Sequence, residues 1–280
     1  MKAPVYEGDW SPEVKSLFRH DMQEIWDPHI APQVWNQYRR QLERYIEIAG
    51  ATPRKILDVG CAQATLALKL AELGHEVTAL DIRPEFIEYA KTRYTHGNIT
   101  FLSLNVLEAS IPGEYDLIFA NQIIEHLVYP GSLVAKLCSV LRPGGRIVVT
   151  TPNGDYVRND LPAFTELGDP SQWQHLQFTA DSDGHFYAYK KDELIKVFAE
   201  CGLGDINSYY FESPVISGNM KIRYLHGFIP YRILKILDNT ILKSLFLAKY
   251  LGAQIMISGK YPGPAKPPHM FCLDRRHAKG

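Results

Sequence analysis

The pattern of apolar and polar positions divides the chain into a helical beginning and a long alternation of strands and helices. Apolar residues recur at helical spacing after Pro12 and again from Val34 to Ile46, which predicts two amphipathic helices before about residue 50. From Arg54 to Thr151, short β-branched runs such as Lys55–Val59 alternate with helical segments, which include predicted helices at 63–73 and 132–141. Such alternation is typical of a parallel sheet with right-handed crossovers. We therefore predict an α/β fold, a doubly wound sheet preceded by a helical cap.

The alternation breaks twice in the second half of the chain. An aromatic and polar stretch runs from Pro152 to Tyr189, and a loop of this length is uncommon in a compact domain unless it is functional. Regular patterns return before residue 214, and a final strand is predicted near residue 253. The predicted domains are a helical cap at 1–50, a core at 51–213, a helical insertion at 214–252 that serves as lid or interface, the last core strand at 253–259, and an unpacked tail at 260–280.

Composition narrows the classes of function. The 280 residues are 46% hydrophobic and 22% charged with a net charge of −1, which is typical of a globular protein and argues against a nucleic-acid-binding surface along the chain. The four cysteines are far apart, which argues against a disulfide framework and a cysteine-rich zinc site. No apolar run reaches the ~18 residues of a membrane-spanning helix, and the first residues do not resemble a signal peptide. We therefore expect a cytoplasmic location.

The first predicted strand of the sheet leads into a run of small residues. Asp58 and Val59 are followed by Gly60, Cys61 and Ala62, and a helix comes next. Small residues at a turn from strand to helix let the backbone approach a ligand, and the helix start offers free N–H groups. We therefore interpret this turn as a ligand loop.

An acidic residue follows that loop at a characteristic distance. Asp81 ends the next predicted strand, 21 residues after Gly60. A carboxylate at this place can accept hydrogen bonds from both hydroxyls of a ribose. The spacing therefore predicts a cofactor of the adenosine type.

With these motifs, residues 54–212 resemble the class I S-adenosylmethionine-dependent methyltransferases. The family's first motif is an acid, one further residue and Gly-x-Gly-x-Gly; the chain matches it at Asp58 and Gly60 but carries Ala62 and Ala64 in the other glycine places. Because alanine does not adopt a positive φ cheaply, we expect a changed backbone path or a changed approach to the cofactor there. Further matches are 115–119 and, most specifically, Leu141-Arg142-Pro143-Gly144-Gly145.

The resemblance implies S-adenosylmethionine as cofactor and a Rossmann-like sheet of seven mostly parallel strands, with the last strand antiparallel and an insertion before it. In such a site Ile82 lies on the adenine face, Asn105 accepts a hydrogen bond from the adenine amine, and Val106 offers its backbone N–H to the ring. The implied cofactor-binding residues are Asp58, Gly60, Cys61, Ala62, Asp81, Ile82, Asn105, Val106 and Asn121.

The segment after the fourth predicted strand supplies the candidate base. Here Glu125 and His126 stand where the ubiquinone-type O-methyltransferases, which this region most resembles, carry a Glu-His pair. His126 titrates near neutral pH, so it can take a proton from a hydroxyl acceptor. His185 is a second candidate, and Asn153 after the fifth strand can orient an acceptor. Which histidine is the base stays open.

A metal site is the alternative use of the same side chains. Glu125, His126 and His185 resemble part of the metal set of the small-RNA 2′-O-methyltransferases, but Gln122 stands where that family has Glu. A missing carboxylate weakens the binding of a divalent ion, although 181 and 183 are aspartates that can compensate. We therefore predict no metal.

The predicted reaction is methylation of a hydroxyl on a small or sugar-containing acceptor by in-line displacement. N-methylation of an amino group and non-catalytic binding of the cofactor are the alternatives. In the insertion, residues 229–251 form a helical run rich in Ile and Leu with a stripe of Arg232, Lys235, Asn239 and Lys243. A lid or dimer helix is the favoured interpretation, and contact with a membrane or a lipid-linked substrate is the alternative. The oligomeric state stays open.

Overall fold

A computed structural model of the protein describes residues 1–176 and 184–263. It contains a seven-stranded sheet in the order β3-β2-β1-β4-β5-β7-β6. The pairs β1 with β2, β2 with β3, and β4 with β5 are parallel, whereas β7 runs antiparallel to β5 and β6. This confirms the predicted fold class. The strands are β1 (Lys55–Val59), β2 (Glu76–Asp81), β3 (Asn98–Ser103), β4 (Tyr115–Asn121), β5 (Leu141–Pro152), β6 (Gly204–Phe211) and β7 (Gln254–Lys260).

Helices precede the sheet and connect its strands. The helices are α1 (Pro12–Asp21), α2 (Pro32–Ala49), α3 (Thr65–Glu72), α4 (Pro84–Arg93), α5 (Pro130–Cys138), α6 (Lys191–Glu200), α7 (Pro214–Ser217), α8 (Tyr231–Lys243) and α9 (Leu245–Leu251). Proline at the first position begins several of them because its fixed φ suits a helix start and its missing N–H has no partner there. A π-helical turn, Met22–Trp26, follows α1 directly. In the described residues, no helix combines the length and apolar character needed to cross a bilayer.

Three helix boundaries differ from the predicted ones. The helix predicted from residue 63 begins two residues later, because Ala64 adopts a left-handed conformation with φ 56°. The helix predicted from Ser132 begins at Pro130. The apolar run predicted as one helix to residue 251 is interrupted at Ser244, whose extended backbone separates α8 from α9.

The chain forms two compact units. The first contains Met1–Asn105 and Glu212–Leu251, and the second contains Val106–Phe211 together with residues 252–263. The insertion therefore folds with the N-terminal helices, and within this unit Gln37 on α2 donates to Glu212 at 2.7 Å. The predicted division into cap, core, insertion and last strand stays a prediction. The part of the predicted tail from residue 264 onward lies outside the described residues.

Candidate active site

The loop after β1 has a positive φ at three alternate positions. Gly60, Ala62 and Ala64 have φ values of 66°, 46° and 56°. The two alanines thus adopt the conformation that glycine reaches most cheaply, at a cost on the order of 1 kcal/mol or more each. Both alanines therefore keep a positive φ, and the expected change in backbone path or in approach to the cofactor stays a prediction. Surrounding contacts must hold the loop in this shape.

Asp81 supplies one of those contacts. One carboxylate oxygen accepts the backbone N–H of Ala62 at 2.9 Å, and the other accepts the backbone N–H of Arg83 at 3.0 Å. The side chain is buried, whereas the neighbouring Ile82 is 43% exposed, as an apolar surface for an adenine ring would be. Because a carboxylate has about four acceptor positions, Asp81 can hold the loop and still accept from a ribose. Its contacts assign it a positioning role that the sequence did not reveal.

Asp58 lies near the end of β1, and its side chain contacts the start of the helix that follows the loop. Its buried carboxylate accepts the backbone N–H of Ala67 in the first turn of α3. Burial raises the pKa of Asp58 to about 7, the nearby charge of Asp81 raises it further, and the Ala67 hydrogen bond opposes the shift. Asp58 therefore satisfies one of the unpaired N–H groups that every helix start leaves.

The helical cap holds the other side of this loop. Gln63 donates to Glu24 in the π-helical turn at 2.5 Å, and its carbonyl accepts from the guanidinium of Arg93. Arg93 also donates to Thr65 at 2.8 Å and forms an ion pair with Asp21 at 2.8 Å, with both charged side chains fully buried. Sequence analysis missed these residues because the partners are 28 to 72 positions apart, and no local motif marks them.

Burial and the neighbouring Asp21 raise the pKa of Glu24 to about 8, against the smaller opposing effects of Arg93 and Gln63. Burial also raises the pKa of the Cys61 thiol well above its ordinary value, and the carboxylates of Asp58 and Asp81 add to this effect. Cys61 is therefore held as a neutral thiol, which suits a wall of the loop and not a nucleophile.

The second unit brings three predicted catalytic residues together. Glu125 and His126 form a short 3₁₀ turn, Ile124–His126, after β4. The Nε2 atom of His185 lies 3.2 Å from Nε2 of His126 and 4.0 Å from Oε1 of Glu125. The two imidazole rings are 4.5 Å apart at an interplanar angle of 72°. This edge-to-face pair, separated by 59 positions in sequence, is the principal chemical feature of the unit.

The proton content of this cluster follows from its geometry. Two ring nitrogens at 3.2 Å share one proton, so one histidine donates while the other accepts. Glu125 is fully buried, and burial raises its pKa to about 8 against the opposing hydrogen bonds of its own backbone N–H and of Thr151. Its carboxyl group is therefore largely neutral at pH 7. Oε2 accepts from the Thr151 hydroxyl at 3.0 Å, while the buried Oε1 has no hydrogen-bond partner among residues 1–176 and 184–263.

Gly184 and Tyr187 lie beside this cluster and keep it in place. A Cβ atom on Gly184 would lie 2.3 Å from Nδ1 of His126, and its φ is 63°, so only glycine fits there. The buried hydroxyl of Tyr187 lies 2.7 Å from the carbonyl oxygen of Ile124 and 2.8 Å from that of Leu127, so it fixes the 3₁₀ turn. The sequence placed both residues near His185 without indicating these contacts.

The remaining predicted residues make structural contacts. The buried amide of Asn153 donates to the carbonyl of Gly252 at 2.7 Å and accepts from the N–H of Asp155, so it fastens the end of β5. The amide oxygen of Asn121 accepts from Thr150 at 3.1 Å. Val106 is buried and directly follows Asn105, the last residue of the first unit's first segment. The predicted functional roles of these residues stay predictions.

The metal alternative has a geometric basis in the same cluster. Within 1–176 and 184–263, Glu125, His126 and His185 each offer a ligand atom, and these atoms lie within 4.8 Å of one another. Asp181 and Asp183 lie outside the described residues. This arrangement of ligand atoms does not test the prediction that no metal binds.

Residues 29–207 match the model of a family described as methyltransferase domain. The chain belongs to this family. The match confirms, at the level of the family, the predicted methyltransferase class and S-adenosylmethionine as the cofactor. It covers β1 to β5 and α6, and therefore both the loop after β1 and the histidine cluster.

Curated relatives are ubiquinone biosynthesis O-methyltransferases. The protein from Xylella fastidiosa strain 9a5c is 33% identical over 137 residues, which are 46% of this chain and 54% of that one. The protein from Xanthomonas euvesicatoria is 32% identical over 112 residues, which are 39% and 46% of the two chains. The chain thus spans about half the length of the curated relatives it matches.

Solved structures share the fold. A methyltransferase from Archaeoglobus fulgidus has a TM-score of 0.54 at 16% identity, covering 87% of this chain and 98% of its own. Phosphoethanolamine N-methyltransferase 2 from Haemonchus contortus, in complex with S-adenosyl-L-methionine, has a TM-score of 0.54 at 17% identity, covering 92% and 62%. At 16% and 17% identity the similarity supports the fold but does not identify the methyl acceptor.

Proposed function

We propose that the protein transfers a methyl group from S-adenosylmethionine to a hydroxyl of a small or sugar-containing metabolite. The observation that carries this proposal is the His126–His185 pair beside the buried Glu125. A hydroxyl acceptor needs a base, and an imidazole titrates in the required range. The curated O-methyltransferase relatives support an oxygen acceptor.

The proposed step is an in-line displacement. The acceptor oxygen forms a bond to the methyl carbon as the bond from that carbon to sulfur breaks, and the sulfonium becomes a neutral thioether. Each Nε2 has a single lone pair, so the hydrogen bond between the two rings opens and the hydroxyl proton passes to the freed Nε2 of His126 or His185. Because positive charge disappears from sulfur, alignment and exclusion of water matter more than a strong counter-charge.

The neutral state of Glu125 fits this role of the pair. An ionised carboxylate 4.0 Å from His185 would favour a permanently charged imidazolium, which cannot accept a proton. A protonated Glu125 leaves the pair free to take up one proton. We therefore propose Glu125 as a positioning residue, with His126 or His185 as the base.

On the cofactor side, we propose that the loop after β1 receives S-adenosylmethionine. Its left-handed positions hold the backbone N–H groups at the start of α3, Asp81 accepts from the ribose, and Ile82 lies against the adenine. Asn105, Val106 and Asn121 keep their implied roles as cofactor contacts. Asn153 is proposed to orient the acceptor, and its anchored amide gives it a fixed position.

Single-turnover methylation of a panel of phenols, sugars and amines tests the reaction. We expect His126→Ala or His185→Ala to slow methylation of a hydroxyl acceptor by at least ~10²-fold, while His96→Ala, at an exposed site, leaves the rate unchanged. Rates that neither substitution changes would exclude a histidine base.

The same assays distinguish the alternative functions. Methylation of amines only would favour an N-methyltransferase, and binding of S-adenosylhomocysteine without any turnover would favour a non-catalytic binding protein. An activity lost with EDTA and restored by Mg²⁺ would favour the metal alternative.

The chain's partners under this proposal are small molecules and not nucleic acids, because its net charge is −1. We propose a cytoplasmic location because of the state of the cysteines. The side chains of Cys61, Cys138 and Cys201 are buried free thiols, as a reducing compartment allows. Detection of a disulfide among these residues in the native protein would contradict that location.

A further inference from the structure

Polar side chains of helix α8 in the insertion bind this helix to α2. Lys235 contacts Glu43 at 2.7 Å, and the buried Asp238 forms an ion pair with Arg40 at 3.3 Å. Arg40 also donates to Asn239 at 2.7 Å. Since Arg40 and Glu43 both belong to α2, two members of the predicted polar stripe, the half-buried Lys235 and the exposed Asn239, hold α8 against α2.

Many large apolar residues of this segment are exposed. Phe228 is 86% exposed, Leu245 is 81% exposed and Phe246 is 71% exposed, although solvent-facing positions of a helix are normally polar. Exposed neighbours in the same segment are Met220, Tyr224, Leu225, Ile233, Ile236, Leu237, Leu247 and Tyr250. We call residues 220–250 with these exposed side chains the apolar face.

This concentration is not the usual scatter of exposed apolar residues. Of the nineteen large hydrophobic side chains exposed in the described residues, eleven belong to the apolar face. Single exposed apolar residues are normal, but a contiguous group of them marks a surface that binds a partner. The apolar face therefore has the character of an interaction surface.

The charged residues of the segment indicate which class of partner the apolar face binds. Residues 220–251 contain six Lys and Arg residues and a single acidic residue, Asp238, which is buried and paired with Arg40. The exposed bases among them are Lys221, Arg223, Arg232 and Lys243. If two copies of the apolar face met, their basic side chains would repel each other. Anionic lipid headgroups would instead attract these bases, and the acyl chains would cover the apolar residues.

We propose that the apolar face docks the protein on the surface of an anionic membrane. Phe228, Leu245 and Phe246 enter the boundary between headgroups and acyl chains, and the exposed lysine and arginine side chains contact the lipid phosphates. The helices lie on the membrane and do not cross it, because neither α8 nor α9 is long enough to span it. Binding of this kind is independent of methyl transfer, so it can be tested without knowledge of the acceptor.

Co-sedimentation of the full chain with vesicles tests the proposal. We expect binding to vesicles of phosphatidylcholine with 30% phosphatidylglycerol, weaker binding to pure phosphatidylcholine, and release by salt, since exposed charges are screened. Leu245→Ser/Phe246→Ser should lower the partition coefficient at least ~30-fold, because both side chains lose their transfer free energy. Arg223→Gln/Lys243→Gln should lower it at least ~10-fold on anionic vesicles only.

Matched substitutions elsewhere serve as controls. Leu73→Ser/Val157→Ser removes equally apolar side chains that are 53% and 57% exposed, and Lys91→Gln/Lys196→Gln removes two exposed charges. Both should bind vesicles like the wild type. All variants should keep the wild-type Tm and affinity for S-adenosylhomocysteine, because the substituted side chains are exposed.

Wild-type protein that stays in the supernatant with anionic vesicles at low salt would overturn the proposal. So would equal partitioning of the wild type and the Leu245→Ser/Phe246→Ser variant. A wild-type dimer that dissociates in this variant, without vesicle binding, would show that a second copy covers the face. An acidic protein that binds the face while vesicles do not would likewise refute a membrane role.

Discussion

The substitution Glu125→Gln tests the protonation state on which the proposed mechanism depends. Glutamine has nearly the same shape as a protonated glutamate, and its amide oxygen can still accept from the Thr151 hydroxyl that lies 3.0 Å from Oε2. It cannot ionise. The substitution therefore removes the titration of this group with little change in packing.

The magnitude follows from the two pKa values. The ordinary pKa of glutamate is 4.5, and burial raises that of Glu125 to about 8 in the folded protein. Between these values the folded state keeps a proton that the unfolded state has lost, so the free energy of unfolding falls as pH rises from 4.5 to 8. Each pH unit in this window costs about 1.4 kcal/mol. From pH 5 to pH 8, Glu125 should cost about 4 kcal/mol.

Urea unfolding at pH 5, 6, 7 and 8 measures this effect. The two proteins should be similarly stable at pH 5, and Glu125→Gln should be the more stable by about 4 kcal/mol at pH 8. Other carboxyl groups with raised pKa values, such as Asp58 and Glu212, are common to both proteins and cancel. Glu166→Gln is the control, because Ala163 and Lys190 lower the pKa of that exposed carboxyl. A stability difference that is the same at every pH would refute the neutral Glu125.

Two further substitutions test the first unit. Asp81→Ala should weaken binding of S-adenosylhomocysteine by about 1–3 kcal/mol in calorimetry, because ribose hydroxyls lose an acceptor and the Ala62 N–H loses its partner; an unchanged dissociation constant would remove Asp81 from the site. Asp21→Asn should lower the free energy of unfolding by about 3–5 kcal/mol, because it leaves Arg93 buried without its counter-charge. The surface pair of Asp116 with Arg142 supplies the comparison, and Asp116→Asn should cost at most ~1 kcal/mol in the same urea titration. Equal losses in the two variants would mean that burial does not strengthen the Asp21 pair.

Local patterns in the sequence were sufficient for the order of the strands and helices. The run Lys55–Val59 is predicted and observed with the same bounds. Such a strand is recognised from neighbouring residues alone, because β-branched side chains and the small residues that follow act over a few positions. The same local reasoning selected Asp81 at the end of β2, whereas His126 and His185 were selected mainly by resemblance to related methyltransferases.

The helix boundaries show where local patterns fail. Alanine at positions 62 and 64 favours negative φ, yet both residues are left-handed, because Asp81 and Glu24 hold the loop from distant segments. A local preference of about 1 kcal/mol is smaller than the combined effect of several buried hydrogen bonds. Contacts of this range are not encoded in any short stretch of sequence.

The sequence by itself determined which residues share one side of an element, and the tertiary structure decided what each side faces. Helical periodicity showed that α8 has a polar stripe and an apolar side, but only the structure shows that Lys235 and Asp238 bind α2 while much of the apolar side is exposed. Likewise the motifs placed two histidines near strand ends, and only folding brings their Nε2 atoms to 3.2 Å. The physical reason is the same in both cases: periodicity depends on neighbouring residues, whereas burial and distance depend on partners that lie 59 to 198 positions away.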